Sequence, residues 1–253
     1  MKKTDTKALH TQLEDLLKMV DEEKISRRLE YVYNQVPRAN CGACFKCCFT
    51  SAQVYPLEFL NILSYLVTLP ELTKSRLSKK IVEYELLHLT TLKHSCPFLE
   101  NESCSVEDQK PILCRLFGFY SEDEHRNMSS ESRKHNQQLA MAYARNERIL
   151  LPEEVMTHDV EFCAPNLDKK GDSVLINPPE RERLFQQIYS LSEQVVPDDW
   201  LEPDHDRFSY RFMRSFITEE EIDKAKTKAI KEFQADGTTQ SVARLLSKHG
   251  FQI

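Results

Sequence analysis

The sequence predicts a mainly α protein, a helical domain enclosing a loop-rich cysteine site with further helices on either side. Three observations carry this. Apolar residues recur at three- and four-residue steps in segment after segment. Proline or a Ser/Thr cap opens several of these segments, and glycine closes the last two. Val174-Leu175-Ile176 is the one convincing β-type run.

The first helix is expected over about 7–35, where Leu9, Leu13, Leu16, Leu17 and Val20 form one apolar side and Leu29, Val32 and Val36 continue it. Thr4, Asp5 and Thr6 are candidate N-caps, and Pro37 ends the segment. Tyr31 and Tyr33 read as packing residues. Pro56 opens a helix over 57–69 and Pro70 closes it. Residues 72–92 carry Leu77, Ile81, Tyr84, Leu87 and Thr91 along one face. From Cys96 to Tyr120 no period is visible, which predicts structured loop with short turns. A polar region over 121–133 then leads into a helix over about 134–149.

Beyond Cys163 there is no further cysteine, and 165–171 reads as a linker. Pro178 and Pro179 start a helix to Val196. Thr218 and Glu221 form a capping box for 219–235, closed by Gly237, and Gly250 closes a last helix with Val242, Leu245 and Leu246. The organisation expected is an N-terminal helical segment over 1–37, a cysteine-rich metal-binding domain over 38–170, and a C-terminal helical region over 171–253.

Composition narrows the function. The 253 residues carry a net charge of -6, and basic pairs such as Arg27-Arg28 and Lys79-Lys80 are isolated, which argues against a nucleic-acid partner. No apolar run approaches 20 residues, so no membrane span is expected. The five glycines are scattered, which excludes a Gly-rich phosphate loop. No apolar h-region follows Met1-Lys2-Lys3, so the expected compartment is the cytoplasm, where thiols stay reduced.

Eight cysteines therefore point to metal. Cys41, Cys44 and Cys47 are spaced C-x2-C-x2-C, the triplet that ferredoxins use around a [4Fe–4S] cluster. Two intervening residues let the backbone curl round a centre while its amides face sulfur, and Gly42 eases the turn. Cys48, adjacent to Cys47, diverges from it and is expected to serve a second centre or cover the first. Cys96, Cys104, Cys114 and Cys163 complete the candidate ligands. One site or two can be built from them, and zinc accounts for the clustering as well as iron does. Lys46 and Arg115 are placed to offset thiolate charge from the second shell. His94, two residues before Cys96, and Asp204-His205-Asp206 are lesser candidates, read as hydrogen-bonded or solvated groups.

Cys-x-x-Cys-x-x-Cys-Cys, then Cys96-Pro97-Phe98-Leu99, Cys104, and Pro111-x-x-Cys114-Arg115-x-Phe117 resemble the CxxCxxCC family of zinc- or iron-chelating domains over about 38–165. Val54 to Phe59 also fits that family's extended stretch entering a helix, while Lys110 stands where Arg is more usual. The resemblance implies eight shared cysteines and a metal cofactor. Flagellin lysine-N-methylases resemble the same group, which adds an alternative: an S-adenosylmethionine-dependent methylase acting on a protein lysine. Such an enzyme would need an unconventional cofactor site, since both the Gly-rich loop and the CxxxCxxC spacing are missing. The favoured reading is an iron–sulfur protein working with a protein partner. A structural zinc module mediating protein interactions is the third reading.

Overall fold

The computed structural model describes residues 13–19, 25–37, 45–49, 53–92, 94–159, 161–162, 175–201 and 206–251. Helices dominate them, as the apolar spacing predicts. The expected first helix shows as α1 (residues 13–19), which buries Leu13 and Leu16, and α2 (Ile25–Tyr33), which buries Ile25, Leu29, Val32 and Tyr33. The candidate caps Thr4, Asp5 and Thr6 lie outside the described residues. The pairing of Tyr31 with Tyr33 as packing residues needs correction. Two residues along a helix is more than half a turn, so Tyr33 is buried while Tyr31 is 71% exposed.

A two-residue strand, β1 (Gln53–Val54), enters α3 (Pro56–Val67), with Pro56 in the first turn. Then α4 (Glu71–Leu87) stops short of the predicted Leu92, because the chain turns at His88 and Thr90 Oγ1 donates to Leu87 O at 2.6 Å. The 96–120 stretch is the expected loop with short elements. These are the hairpin β2 (Leu99–Glu100) and β3 (Ser103–Cys104), α5 (Ile112–Leu116), and a 3-10 turn over Phe117–Phe119.

Two expectations fail. The polar region over 121–133 is helical, the first half of one helix, α6 (Glu122–Glu147). Ser121 and Glu124 form a capping box there: Glu124 N–H donates to Ser121 Oγ at 3.3 Å and the Glu124 carboxylate accepts Ser121 N–H at 2.8 Å. Three acids in the first turn suit the helix dipole, and few residues are buried, so no apolar stripe marks the helix. Leu175 and Ile176 are not strand, and Val174 lies outside the described residues. Pro178 and Pro179 have no N–H to give a ladder, and Asn177 instead caps α8 (Pro178–Glu193) by accepting Glu180 N–H at 2.9 Å.

Short α7 (Glu153–Met156) precedes the undescribed 163–174 stretch, and α9 (Asp198–Leu201) follows α8. Next, β4 (Asp206–Arg207) pairs antiparallel with β1, Gln53 opposite Arg207 and Val54 opposite Asp206. The chain closes with α10 (Phe208–Arg214), α11 (Glu219–Asp236) and α12 (Gln240–His249). The Thr218–Glu221 capping box and the left-handed Gly237 (φ 73°) and Gly250 (φ 52°) are where the sequence places them.

The largest hydrophobic cluster draws on residues from Leu13 to Phe251. At its centre the Phe208 ring lies 5.2 Å from that of Phe59, tilted, and 5.0 Å from that of Phe98, edge to face, so the cysteine hairpin shares a core with the C-terminal helices. Beside it lies a buried ionic knot. Glu85, fully buried, accepts from Arg207 Nε (3.1 Å) and Nη2 (3.0 Å), Ser209 Oγ (2.7 Å) and Lys226 Nζ (3.0 Å). Burial alone would raise its carboxyl pKa; the two cations outweigh burial and hold it well below the carboxylate range. No helix among the described residues is long and apolar enough to cross a membrane.

Candidate metal centre

The cysteine segments are brought together by backbone bonds before any metal is considered. Lys46–Phe49 forms a 3-10 turn that places Cys47 and Cys48, entered through Phe45 at a left-handed φ of 48°. Cys48 N–H donates to Phe45 O at 2.8 Å, and Cys96 N–H donates to Cys48 O at 2.7 Å. The first cysteine run is thereby pinned to the Cys-Pro-Phe-Leu run. Lys46 joins a third segment: its Nζ donates to Phe162 O at 2.8 Å and lies 3.4 Å from the Glu161 carboxylate, immediately before Cys163.

Cys96 and Cys104 flank one hairpin. Leu99 pairs with Cys104 across it, and Asn101 and Glu102, both left-handed, make the two-residue turn. The Cys96 sulfur accepts from the Phe98 and Leu99 amides, and the Cys104 sulfur from the Val106 amide. Cys114 lies in the middle of α5, and Ile112 N–H at the start of that helix donates to the buried Glu58 carboxylate at 2.6 Å.

Electrostatics shows the four sulfurs to be neighbours. Burial pushes the Cys96 thiol up to about 12, with Cys104 and Cys47 adding to the rise. Burial also holds Cys114 well above the usual thiol range, and Cys47, Cys96 and Cys104 all raise it further. Cys104 rises for the same reason, with Cys47 again contributing. Three thiols held high by burial and lifted further by Cys47, with amides already donating to two of them, suit a cation that replaces their protons. The donor set therefore fits a thiolate-bound metal. Among the described residues, no group of three or more His, Cys, Asp or Glu side chains is drawn in tightly enough to hold an ion outright. Cys41, Cys44 and Cys163 lie outside the described residues. None of Cys48, Cys96, Cys104 and Cys114 is in a disulfide.

Charge compensation comes partly from Lys110, which the sequence marked only as a departure from the Arg more usual at that position. Lys110 is nearly buried, its Nζ 2.7 Å from Glu107, and its charge lowers the pKa of both Cys104 and Cys114. The signal available was the Lys-Pro pair opening the Cys114 helix. Arg115 donates to backbone carbonyls, through Nε to Lys110 O (2.6 Å) and Nη2 to Asp108 O (2.6 Å), with its guanidinium 4.1 Å from the centre of the Tyr33 ring. It clamps the loop that delivers Lys110 and Cys114. Glu58, a residue that sequence reasoning missed, accepts from Tyr33 Oη (3.0 Å), Tyr55 N–H (3.1 Å) and Ile112 N–H (2.6 Å), tying α2, α3 and α5 at one buried carboxylate.

The lesser candidates stand apart. His94 is half-buried, its ring 6.3 Å from that of Phe233. Asp206 accepts Arg207 N–H at 2.6 Å within β4, while Asp204 and His205 lie outside the described residues.

No curated protein and no solved structure matches the chain. One family does: residues 40–138, from just before Cys41 to the middle of α6, match CxxCxxCC, described as a putative zinc- or iron-chelating domain. This stretch holds seven of the eight cysteines and every described one, so the converging thiols all lie within the part of the chain that matches that family.

Proposed function

We propose that the chain binds an iron–sulfur cluster through its clustered cysteines and works with a protein partner. The observation that carries the reading is the approach of Cys47, Cys96, Cys104 and Cys114 from three separate segments, with Cys96, Cys104 and Cys114 buried enough for their thiols to stay protonated until a metal displaces the proton. The C-x2-C-x2-C triplet favours iron–sulfur over zinc, since Cys41 and Cys44 add two thiolates next to Cys47. A bound cluster supplies one-electron redox chemistry. The chain's own cysteines would hold it, and Lys110 and Lys46 would balance its charge. Protein purified without oxygen is expected to be brown and to contain iron with acid-labile sulfide. Colourless protein with stoichiometric zinc and no sulfide would overturn the iron reading in favour of a structural zinc module.

The Arg115 clamp gives a second test. Arg115→Ala is expected to weaken metal retention ~10–100-fold, because the 108–110 loop loses both carbonyl anchors. Lysine keeps the charge but not the planar fork that spans two carbonyls, so Arg115→Lys should fall between. Competitive chelator titration of the three proteins reads this out. Equal release from all three would mean that the clamp has no bearing on the metal.

A further inference from the structure

His125 stands in the first turn of α6, 2% exposed, outside the set of cysteines. Its Nε2 lies 3.2 Å from Phe117 O, and a carbonyl can only accept, so Nε2 carries the proton. Nδ1 is then a bare lone pair, and it is buried without a hydrogen-bond partner. A buried polar atom in that state is destabilising, and a ligand would remove that cost. Burial also holds the imidazole below its usual pKa.

The surroundings of the ring identify the ligand. Phe117, 4.9 Å away between ring centres, follows Cys114 by one helical turn. Phe162, 5.2 Å away, directly precedes Cys163. Lys46, close enough to depress the His125 pKa, directly precedes Cys47. Three cysteine-bearing segments thus meet at one imidazole. A ring N–H fixed on a backbone carbonyl, with the other nitrogen bare, is also how metal-binding histidines are oriented. The Nε2 of His94 is buried without a partner as well, but that ring is half-exposed and no hydrogen bond to a carbonyl orients it.

We propose that His125 Nδ1 is a ligand of the metal centre, so that the site takes a borderline metal or cluster with mixed sulfur and nitrogen donors. This rests on the metal-binding reading above. The test uses the full chain carrying whichever metal it retains on purification. Nitrogen is read by 14N echo modulation of the reduced cluster, or by imidazole scattering at the zinc edge. Wild type should show one metal-bound nitrogen. His125→Gln, which keeps a donor for Phe117 O but removes the lone pair at the Nδ1 position, should lose it. An all-sulfur wild-type centre would overturn the inference and leave the metal reading intact, whereas protein that retains no metal would overturn both. A nitrogen signal that survives in His125→Gln also overturns it. Should that variant fail to fold, His94→Gln, His158→Gln and His249→Gln, the other histidines with a buried unpartnered nitrogen, decide: survival of the signal in all three supports His125, and its loss in one assigns the ligand to that residue.

Discussion

Replacing Glu85 with alanine is expected to lower the unfolding free energy by about 3–5 kcal/mol, measured by denaturant titration at neutral pH. The carboxylate holds Arg207 and Lys226 at once, and without it two cations face each other in the interior. Lys226 is nearly buried and cannot turn to solvent without moving α11. Glu85→Gln should lose almost as much, because a neutral amide keeps the shape but not the charge. Pairing Glu85→Met with Lys226→Met should recover much of the loss, since removing both charges avoids stranding one of them. For a chain of this size the single alanine variant should melt roughly 6–20 °C lower. A loss under about 1 kcal/mol would show that solvent reaches the knot.

Glu58 is the second large effect, and it carries a pH signature. All three of its partners are donors, so Glu58→Ala strands Tyr33 Oη and two backbone amides, a loss of at least ~3 kcal/mol. Burial raises its pKa from 4.5 to about 7 against three opposing hydrogen bonds. Between those values the folded chain keeps a proton that the unfolded chain releases. The contribution of this group is therefore full below pH 4.5 and is lost as pH rises through 7, by about 3 kcal/mol. His94, His125 and His249, held low by burial, run the other way, gaining stability as pH rises through their ordinary range. The comparison that isolates Glu58 is thus wild type against Glu58→Gln, which costs something at every pH but lacks the downward slope. Identical pH slopes in the two proteins would mean that the carboxyl is not the titrating group. Because Ile112 N–H hangs on this carboxylate, Glu58→Ala should also release metal faster through Cys114.

Much of this architecture was legible from local signals. Pro56, Asn177-Pro178, Thr218–Glu221, Gly237 and Gly250 each act within one helical turn, so they mark helix ends whatever surrounds them. The start of α6 was equally local, since Ser121–Glu124 repeats the Thr218–Glu221 pattern; the absence of an apolar stripe hid it. The strands were beyond reach for a different reason. Two-residue strands have no period, and β1 with β4 exists only because Gln53 and Val54 meet Asp206 and Arg207 through tertiary packing. At the candidate centre, motif order announced metal and drew notice to Lys110, but neither the role of Glu58 nor the approach of His125 left any trace in spacing. Glu58 and Glu85 sit in helices where an acid ordinarily faces solvent. Only the packed structure shows that each has its partners inside.

The β1–β4 pairing also sets an order of events during synthesis. Gln53 and Arg207 are about 150 residues apart, so at ~5–20 residues per second β1 emerges from the ribosome roughly 8–30 s before the strand that pairs with it. Helices and the cysteine hairpin need only nearby chain and form within microseconds. For that interval Gln53 and Val54 lack the strand that pairs with them. Closure follows only when Arg207 reaches both Gln53 and Glu85, so one residue completes the sheet and the ionic knot together.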